Sequence, residues 1–298
     1  MIERLRRWLR DPPPAVAFEL SEEGIAAAWP GRPPRIAFQP LGPGVISVSP
    51  LRGNVLDADE LAAKIRTLAG GRETRKRHDA ALILPDASVR VVVLDFDSFP
   101  SAPPEQLALV RFRIRKGLPF DLDSAALSYF VQATAGKRVD VVVAAAPLEI
   151  VTRYEAPLRV CGLLPGLVTT STLAALELVR EEGAAVLMKL SGRFLTISVL
   201  EGSALKLLRW IELSEASPRE ILEPLYPTLA YAEDELGARA GKVLLCGFGA
   251  MTEGLRAELQ RELGMACEPL RSRWGAVEST NAGLLGWLES LEEARAAA

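Results

Sequence analysis

The sequence is poor in the residues that most hydrolytic and redox chemistry needs. Among its 298 residues it has one histidine, His78, and three cysteines, Cys161, Cys246 and Cys267, widely spaced and without a CxxC pair. That argues against a disulfide framework and a thiolate zinc site, and it fits a reducing cytoplasm. No carboxylate cluster stands out as a metal site either. His78 sits in the polar run Arg72-Glu-Thr-Arg-Lys-Arg-His-Asp79, which reads as a solvated loop, the other reading being a lone catalytic base. No GxSxG elbow accompanies it, and neither a GxxxxGK[ST] loop nor a GxGxxG after a strand occurs. Basic surplus is also missing. A net charge of −3 argues against a protein that neutralises nucleic-acid phosphates. No apolar run reaches the roughly 18 residues that span a bilayer, and no secretory signal opens the chain.

What is present is apolar bulk and order. With 49% hydrophobic and 24% charged residues, the chain can bury a sizeable core in about two domains. Residues 1–10 place Ile2, Leu5, Trp8 and Leu9 at helical spacing among Arg4, Arg6, Arg7 and Arg10, and Pro12 to Pro14 end the segment. This basic amphipathic stretch admits two readings: contact with an anionic membrane surface through Arg4, Arg7, Trp8 and Leu9, or docking on its own core.

From Ala15 to Trp29 two short apolar strands flank Ser21-Glu-Glu-Gly24, a hairpin with two carboxylates at its tip. A Pro- and Gly-rich loop from Pro30 to Pro43 leads to a short strand near Val45 to Val48 and a helix from about Ala58, capped by Asp57. Ala80 to Leu84 and Val89 to Phe96 read as strands of a second hairpin around Pro-Asp-Ala-Ser. A fresh α+β unit follows at about 99–163: helix Glu105 to Lys116, strands Ala125 to Ala133 and Arg138 to Ala146, and helix Leu148 to Cys161. Leu164 to Val168 and a helix from Ser171 return the chain to the first sheet. Three strands (Ala184 to Met188, Arg193 to Leu200, Ala204 to Ile211), helices from Pro218 to about Leu236 and a buried-type strand Lys242 to Cys246 then repeat the outline. The expected division is a basic segment 1–14, a first half 15–182 containing the insert, a second half 183–290 and a tail 291–298.

The succession of motifs resembles the PilM family, actin-like cytoplasmic components of type IV pilus machines, and more distantly the GspL cytoplasmic region and FtsA. Ala17-Phe-Glu-Leu-Ser-Glu-Glu-Gly-Ile25 lies where the family has a pattern like GIDIGSSSVK. Arg113-Ile-Arg-Lys-Gly-Leu-Pro-Phe120 resembles its IPF helix, Val142-Val-Ala-Ala-Ala-Pro-Leu-Glu-Ile-Val-Thr-Arg-Tyr154 its VAARKEVVDRY segment, and Leu244-Leu-Cys-Gly-Phe-Gly-Ala250 its LSGGGA turn. The resemblance runs over about residues 15–290. It implies an α/β, actin-like (ribonuclease H-like duplicated) fold, with an inserted α+β subdomain and a shortened second-half subdomain.

In such proteins the first hairpin is a phosphate loop. The resemblance puts Glu19 in place of an aspartate and Glu22 and Glu23 in place of small serines. A carboxylate about 5 Å from a phosphate oxygen repels it by roughly 3 kcal/mol at an effective dielectric near 20. At the second phosphate hairpin Lys189-Leu-Ser-Gly-Arg193 replaces a DIGAS pattern, so Lys189 occupies the position of a metal-side acid. Gly247 and Gly249 keep the adenosine-side turn, as a vestige. Only about thirty residues separate Trp210 from Lys242, too few for the family's second cleft wall. The expectation is therefore a protein with no cofactor and no catalysis, the alternative being an Mg-ATP-binding ATPase or nucleotide switch. The resemblance further implies a scaffold, peripheral to the inner membrane, that binds the cytoplasmic tail of PilN-like proteins and other platform components. That tail is expected in a groove between the insert and the sheet it interrupts, with Phe112, Leu118 and Phe120 as apolar anchors and Arg111, Arg113, Arg115 and Lys116 at the rim, the other reading being that Phe112 and Phe120 fill the core of the insert.

Overall fold

The computed structural model describes residues 13–70, 78–132, 138–235 and 237–296; the segment 1–10, with Arg4, Arg7, Trp8 and Leu9, lies outside the described residues. The chain divides into two compact units. The first gathers the residues up to Val89, Ala146–Val179 and the chain from Arg271; the second holds Arg90–Ala145 and Arg180–Leu270.

The first unit is built on a five-stranded sheet in the order β3-β2-β1-β4-β8. Its strands are β1 (Val16–Leu20), β2 (Gly24–Trp29), β3 (Arg35–Pro40), β4 (His78–Leu84) and β8 (Leu163–Thr170). β2 runs antiparallel to β1 and β3, while β4 runs parallel to β1 and β8. β1 and most of β2 are buried on both faces, which explains their apolar spelling, broken by Glu19. Helices α1 (Ala58–Leu68) and α3 (Leu148–Val160) pack together on this unit. α1 starts where expected, with the Asp57 side chain accepting from Glu60 N–H at 2.9 Å. The short α4 (Ser171–Ala175) meets α8 (Ala282–Ala296), whose residues 282–291 are buried all round.

The second unit repeats the pattern. Its sheet is ordered β11-β10-β9-β12-β13, with β9 (Ala184–Ser191), β10 (Phe194–Glu201), β11 (Ala204–Glu212), β12 (Lys242–Cys246) and β13 (Ala266–Pro269). β9 is antiparallel to β10 and parallel to β12, and β12 is parallel to β13. α5 (Pro218–Leu222), α6 (Leu225–Asp234) and α7 (Thr252–Leu263) close its core. Beside them lies the inserted three-stranded sheet β5-β7-β6, formed by β5 (Arg90–Phe96), β6 (Ala125–Val131) and β7 (Val139–Pro147) under α2 (Pro103–Ile114).

Several expectations change. Pro85–Ser88 makes no hairpin: a 3-10 turn there carries the chain from β4 in one sheet to β5 in another, where β5 pairs antiparallel with β7. The insert runs from Arg90 to Ala145, not 99–163, because α3 packs on α1 in the first unit. It belongs with the second half. β5 lies along β11, and the Gln132 amide clamps Leu205 like a backbone partner, donating to its carbonyl at 2.7 Å and accepting from its N–H at 2.8 Å. Lys206 reaches Asp140 at 3.0 Å across the same seam. The chain from Arg271, expected in the second half up to 290 and as a tail beyond, returns to the first unit, where glycine lets α8 approach α4: a Cβ at Gly286 would lie 2.0 Å from the Ala174 carbonyl oxygen. The Pro-rich stretch 30–43 hides a strand, β3, and near Val45 there is only an isolated bridge from Ile46 to Val55. His78 opens β4, pairing with Leu163, rather than ending a loop.

Candidate functional site

The first candidate element is the turn that closes β1 and β2. Ser21 N–H donates to Gly24 O at 2.9 Å, and Gly24 N–H donates back to Ser21 Oγ at 3.1 Å. Only glycine fits at position 24, since a Cβ there would lie 2.4 Å from the Phe38 ring and 2.5 Å from the Gln39 carbonyl. The two carboxylates at the tip part company. Glu23 is exposed, whereas half-buried Glu22 folds back and accepts from Val48 N–H at 2.7 Å. It thereby ties the loop that precedes α1 to the hairpin. That loop is also held by a buried polar cluster. Asn54, fully buried, accepts from Ser88 Oγ at 2.6 Å and from Tyr154 OH at 3.0 Å and donates to the carbonyls of Ser49 and Arg52. Burial pushes the Tyr154 phenol well above its ordinary range; the Ser88 hydrogen bond opposes that and the Glu22 charge adds to it. The Glu22 carboxylate thus acts inward on this network.

Glu19, which the resemblance puts in place of the family's aspartate, is 1% exposed. Its carboxylate accepts from Leu284 N–H at 2.7 Å and Gly283 N–H at 3.3 Å, the first turn of α8, and from the Ser171 hydroxyl. A carboxylate at a helix N-terminus satisfies orphan donors and meets the positive end of the helix dipole. Asp86 does the same for α4, accepting from Thr172 N–H at 2.7 Å and Thr172 Oγ1 at 2.6 Å. Sequence reasoning missed Asp86, Asn54 and Tyr154. The signal for Asp86 was available in Pro85-Asp86, read there as turn chemistry alone.

In the second unit, the hairpin β9–β10 turns at Gly192 and Arg193, and the glycine turn follows β12. The structure brings these two elements together, because Lys189 pairs in parallel register with Cys246 and both turns leave the carboxyl ends of neighbouring strands. Ligands of open α/β sheets bind at such ends. Gly247 (φ 80°) and Gly249 (φ 51°) adopt left-handed backbone, which accounts for glycine at both positions without any ligand. Phe248 between them is buried in the core. Lys189 itself is 2% exposed. Among the described residues no group of three or more His, Cys, Asp or Glu side chains could hold a metal ion, and no helix is long and apolar enough to cross a membrane.

The candidate partner residues of the insert separate. Phe112 on α2 is 77% exposed. Arg115 is exposed and lies 3.8 Å from Asp123, a surface pair worth little. Leu118 and Phe120 instead pack against the core formed by Phe96, Val110, Ile114 and Val141. Both stay half-buried where the turn after α2 folds them onto the sheet, which is the core-filling alternative for Phe120.

No protein-family model matches the sequence, and no curated protein sequence matches it. Solved structures do. A PilM-PilN type IV pilus biogenesis complex aligns with 95% of this chain and 99% of that chain at 20% identity, with a TM-score of 0.73. The cytoplasmic domain of EpsL, an inner membrane component of the type II secretion system of Vibrio cholerae, aligns over 93% of this chain and 94% of that one at 13% identity, with a TM-score of 0.52. With both sheets in the same strand order and the match extending over nearly the whole chain, the protein has the actin-like fold.

Proposed function

We propose that the protein is a non-catalytic scaffold of a type IV pilus or related secretion machine, working on the cytoplasmic side of the inner membrane and binding the cytoplasmic tail of a PilN-like membrane protein. The observation that carries the absence of catalysis is the state of Glu19. Its carboxylate is saturated by Ser171 and the first turn of α8, so releasing it toward a metal ion would strand buried N–H groups. Lys189, buried at the other phosphate-side hairpin, supplies the wrong charge for a metal. These residues do not fit Mg-ATP. The retained turn at Gly247 and Gly249, beside Lys189, is what favours the second reading, weak nucleotide binding without hydrolysis.

The scaffold reading draws on the likeness in fold to the PilM-PilN complex and on α2, where Phe112 stands exposed on a helix whose last turn and exit carry Arg111, Arg113, Arg115 and Lys116. Such a face suits a short apolar tail with carbonyls or carboxylates to receive. The test is calorimetric binding of a synthetic PilN-type tail to the full chain. Phe112→Ala is expected to weaken binding about tenfold with an unchanged melting temperature. Unchanged affinity in that variant moves the site elsewhere, and no binding to the full chain removes the reading.

A further inference from the structure

β3 is the outermost strand of the first sheet, and its backbone is half used. The bond from Leu41 N–H to Glu23 O at 3.1 Å, read with the register Ala26↔Phe38 and Ala27↔Ala37, makes 35, 37 and 39 the residues that bond β2. The N–H and C=O groups of Ile36 and Phe38 therefore point away from the sheet. No backbone bond among the described residues reaches them, and their side chains, 36% and 46% exposed, share one face. The other margins offer less. β8 has a register shift opposite Ala80/Ala81, β13 is four residues long and closes on Pro269, β11 runs beside β5, and β6 keeps most of its side chains half-buried.

We propose that β3 is the isologous interface of a homodimer, in which the strands of two copies pair antiparallel about a two-fold axis at Ala37 and join their sheets. The register argues for a second copy of this chain rather than a foreign strand. With Ala37 opposite Ala37, Ile36 of each copy exchanges both outward bonds with Phe38 of the other, and these two apolar side chains meet across the seam. Pro34 then faces Pro40, and because neither has an N–H the ladder ends there on both sides. Shifting by a residue pair in either direction sets Phe38 against Pro34 or Ile36 against Pro40 and leaves the Phe38 or Ile36 carbonyl facing a residue with no N–H to donate. The prolines confine pairing to this short window, which blocks growth of a wider aggregate. A contact this small gives a weak dimer, strengthened when copies are concentrated on one assembly.

Sedimentation velocity of the full chain tests it without any tail peptide, so its outcome is independent of the tail-binding reading. The weight-average mass is expected to rise toward twice the monomer value as concentration approaches about 1 mM. Ile36→Pro removes an outward donor, leaves the bonds to β2 in place and is expected to weaken association at least tenfold with an unchanged circular dichroism spectrum. If that variant does not fold, Phe38→Lys replaces it and carries the same expectation. Ala37→Cys places two thiols at the non-hydrogen-bonded pair on the axis and is expected to form an intermolecular disulfide much faster than Gln39→Cys. A protein that stays monomeric, a dimer indifferent to both edge variants, or equal cross-linking at positions 37 and 39 overturns the proposal.

Discussion

The two five-stranded sheets have the same order and the same strand directions, yet they treat corresponding parts differently. In the second, the outermost strand β11 is flanked by the insert, clamped by Gln132 and Lys206; in the first, the outermost strand β3 has no such cover among the described residues. The first hairpin turn is reinforced from outside by Glu22 on Val48. The second turn has the ion pair of Arg193 with Glu212 at 3.0 Å, exposed on both sides. The acids of the first half are spent on helix starts, Glu19 on α8 and Asp86 on α4. A duplicated fold thus fixes topology in each half, while the uses of its edges and turns are set by a few side chains.

The comparison can be broken at its tightest point first. Gly286→Ala drives a Cβ into the Ala174 carbonyl and is expected to destabilise the first unit by about 3 kcal/mol or more, read as loss of its cooperative unfolding transition. Glu19→Ala leaves the N–H groups of Gly283 and Leu284 buried and unpaired, at a cost of about 2–3 kcal/mol; a stability within about 0.5 kcal/mol of wild type would show that the carboxylate is not structural. Gln132→Ala deprives both backbone groups of Leu205 of partners and should cost about 2 kcal/mol by urea denaturation, in the second unit only. Glu22→Ala frees Val48 N–H for about 1 kcal/mol and is expected not to create Mg-ATP binding, because Glu19 and Lys189 are untouched.

The smallest effect is one of pH. Burial, opposed by Arg256, pushes the Cys267 thiol up from 9.0 to about 11. The folded state therefore holds the proton more tightly than the unfolded chain, and its contribution is complete below pH 9 and lost between pH 9 and about 11. The urea midpoint should fall less steeply over that window in Cys267→Ala than in the wild type.

Much of this architecture was legible where pattern and burial agree. β1 with β2, β9 with β10 and the strand Lys242–Cys246 with its glycine turn are spelled by largely apolar runs, because these strands are buried on both faces. β3 was hidden because prolines on either side read as loop, although Ile36 and Phe38 alternate; prolines at the ends of an edge strand cost no ladder bond. The Pro85–Ser88 turn read as a hairpin because local turn chemistry does not say which sheet receives the next strand. The tie from Glu22 to the following loop was hidden for a similar reason. Its partner Val48 is 26 residues on, and only the folded loop brings that N–H within reach. Leu118 and Phe120 looked like anchors because apolar residues after a basic helix spell a docking face and a small core alike.

The most direct measurement is an isothermal titration of the full chain with Mg-ATP, paired with a phosphate-release assay. The account predicts no heat of binding at micromolar nucleotide and no release above the buffer rate. A micromolar dissociation constant with turnover abolished by Lys189→Ala would contradict it, since a buried lysine and a saturated Glu19 would then be the working parts of an ATPase.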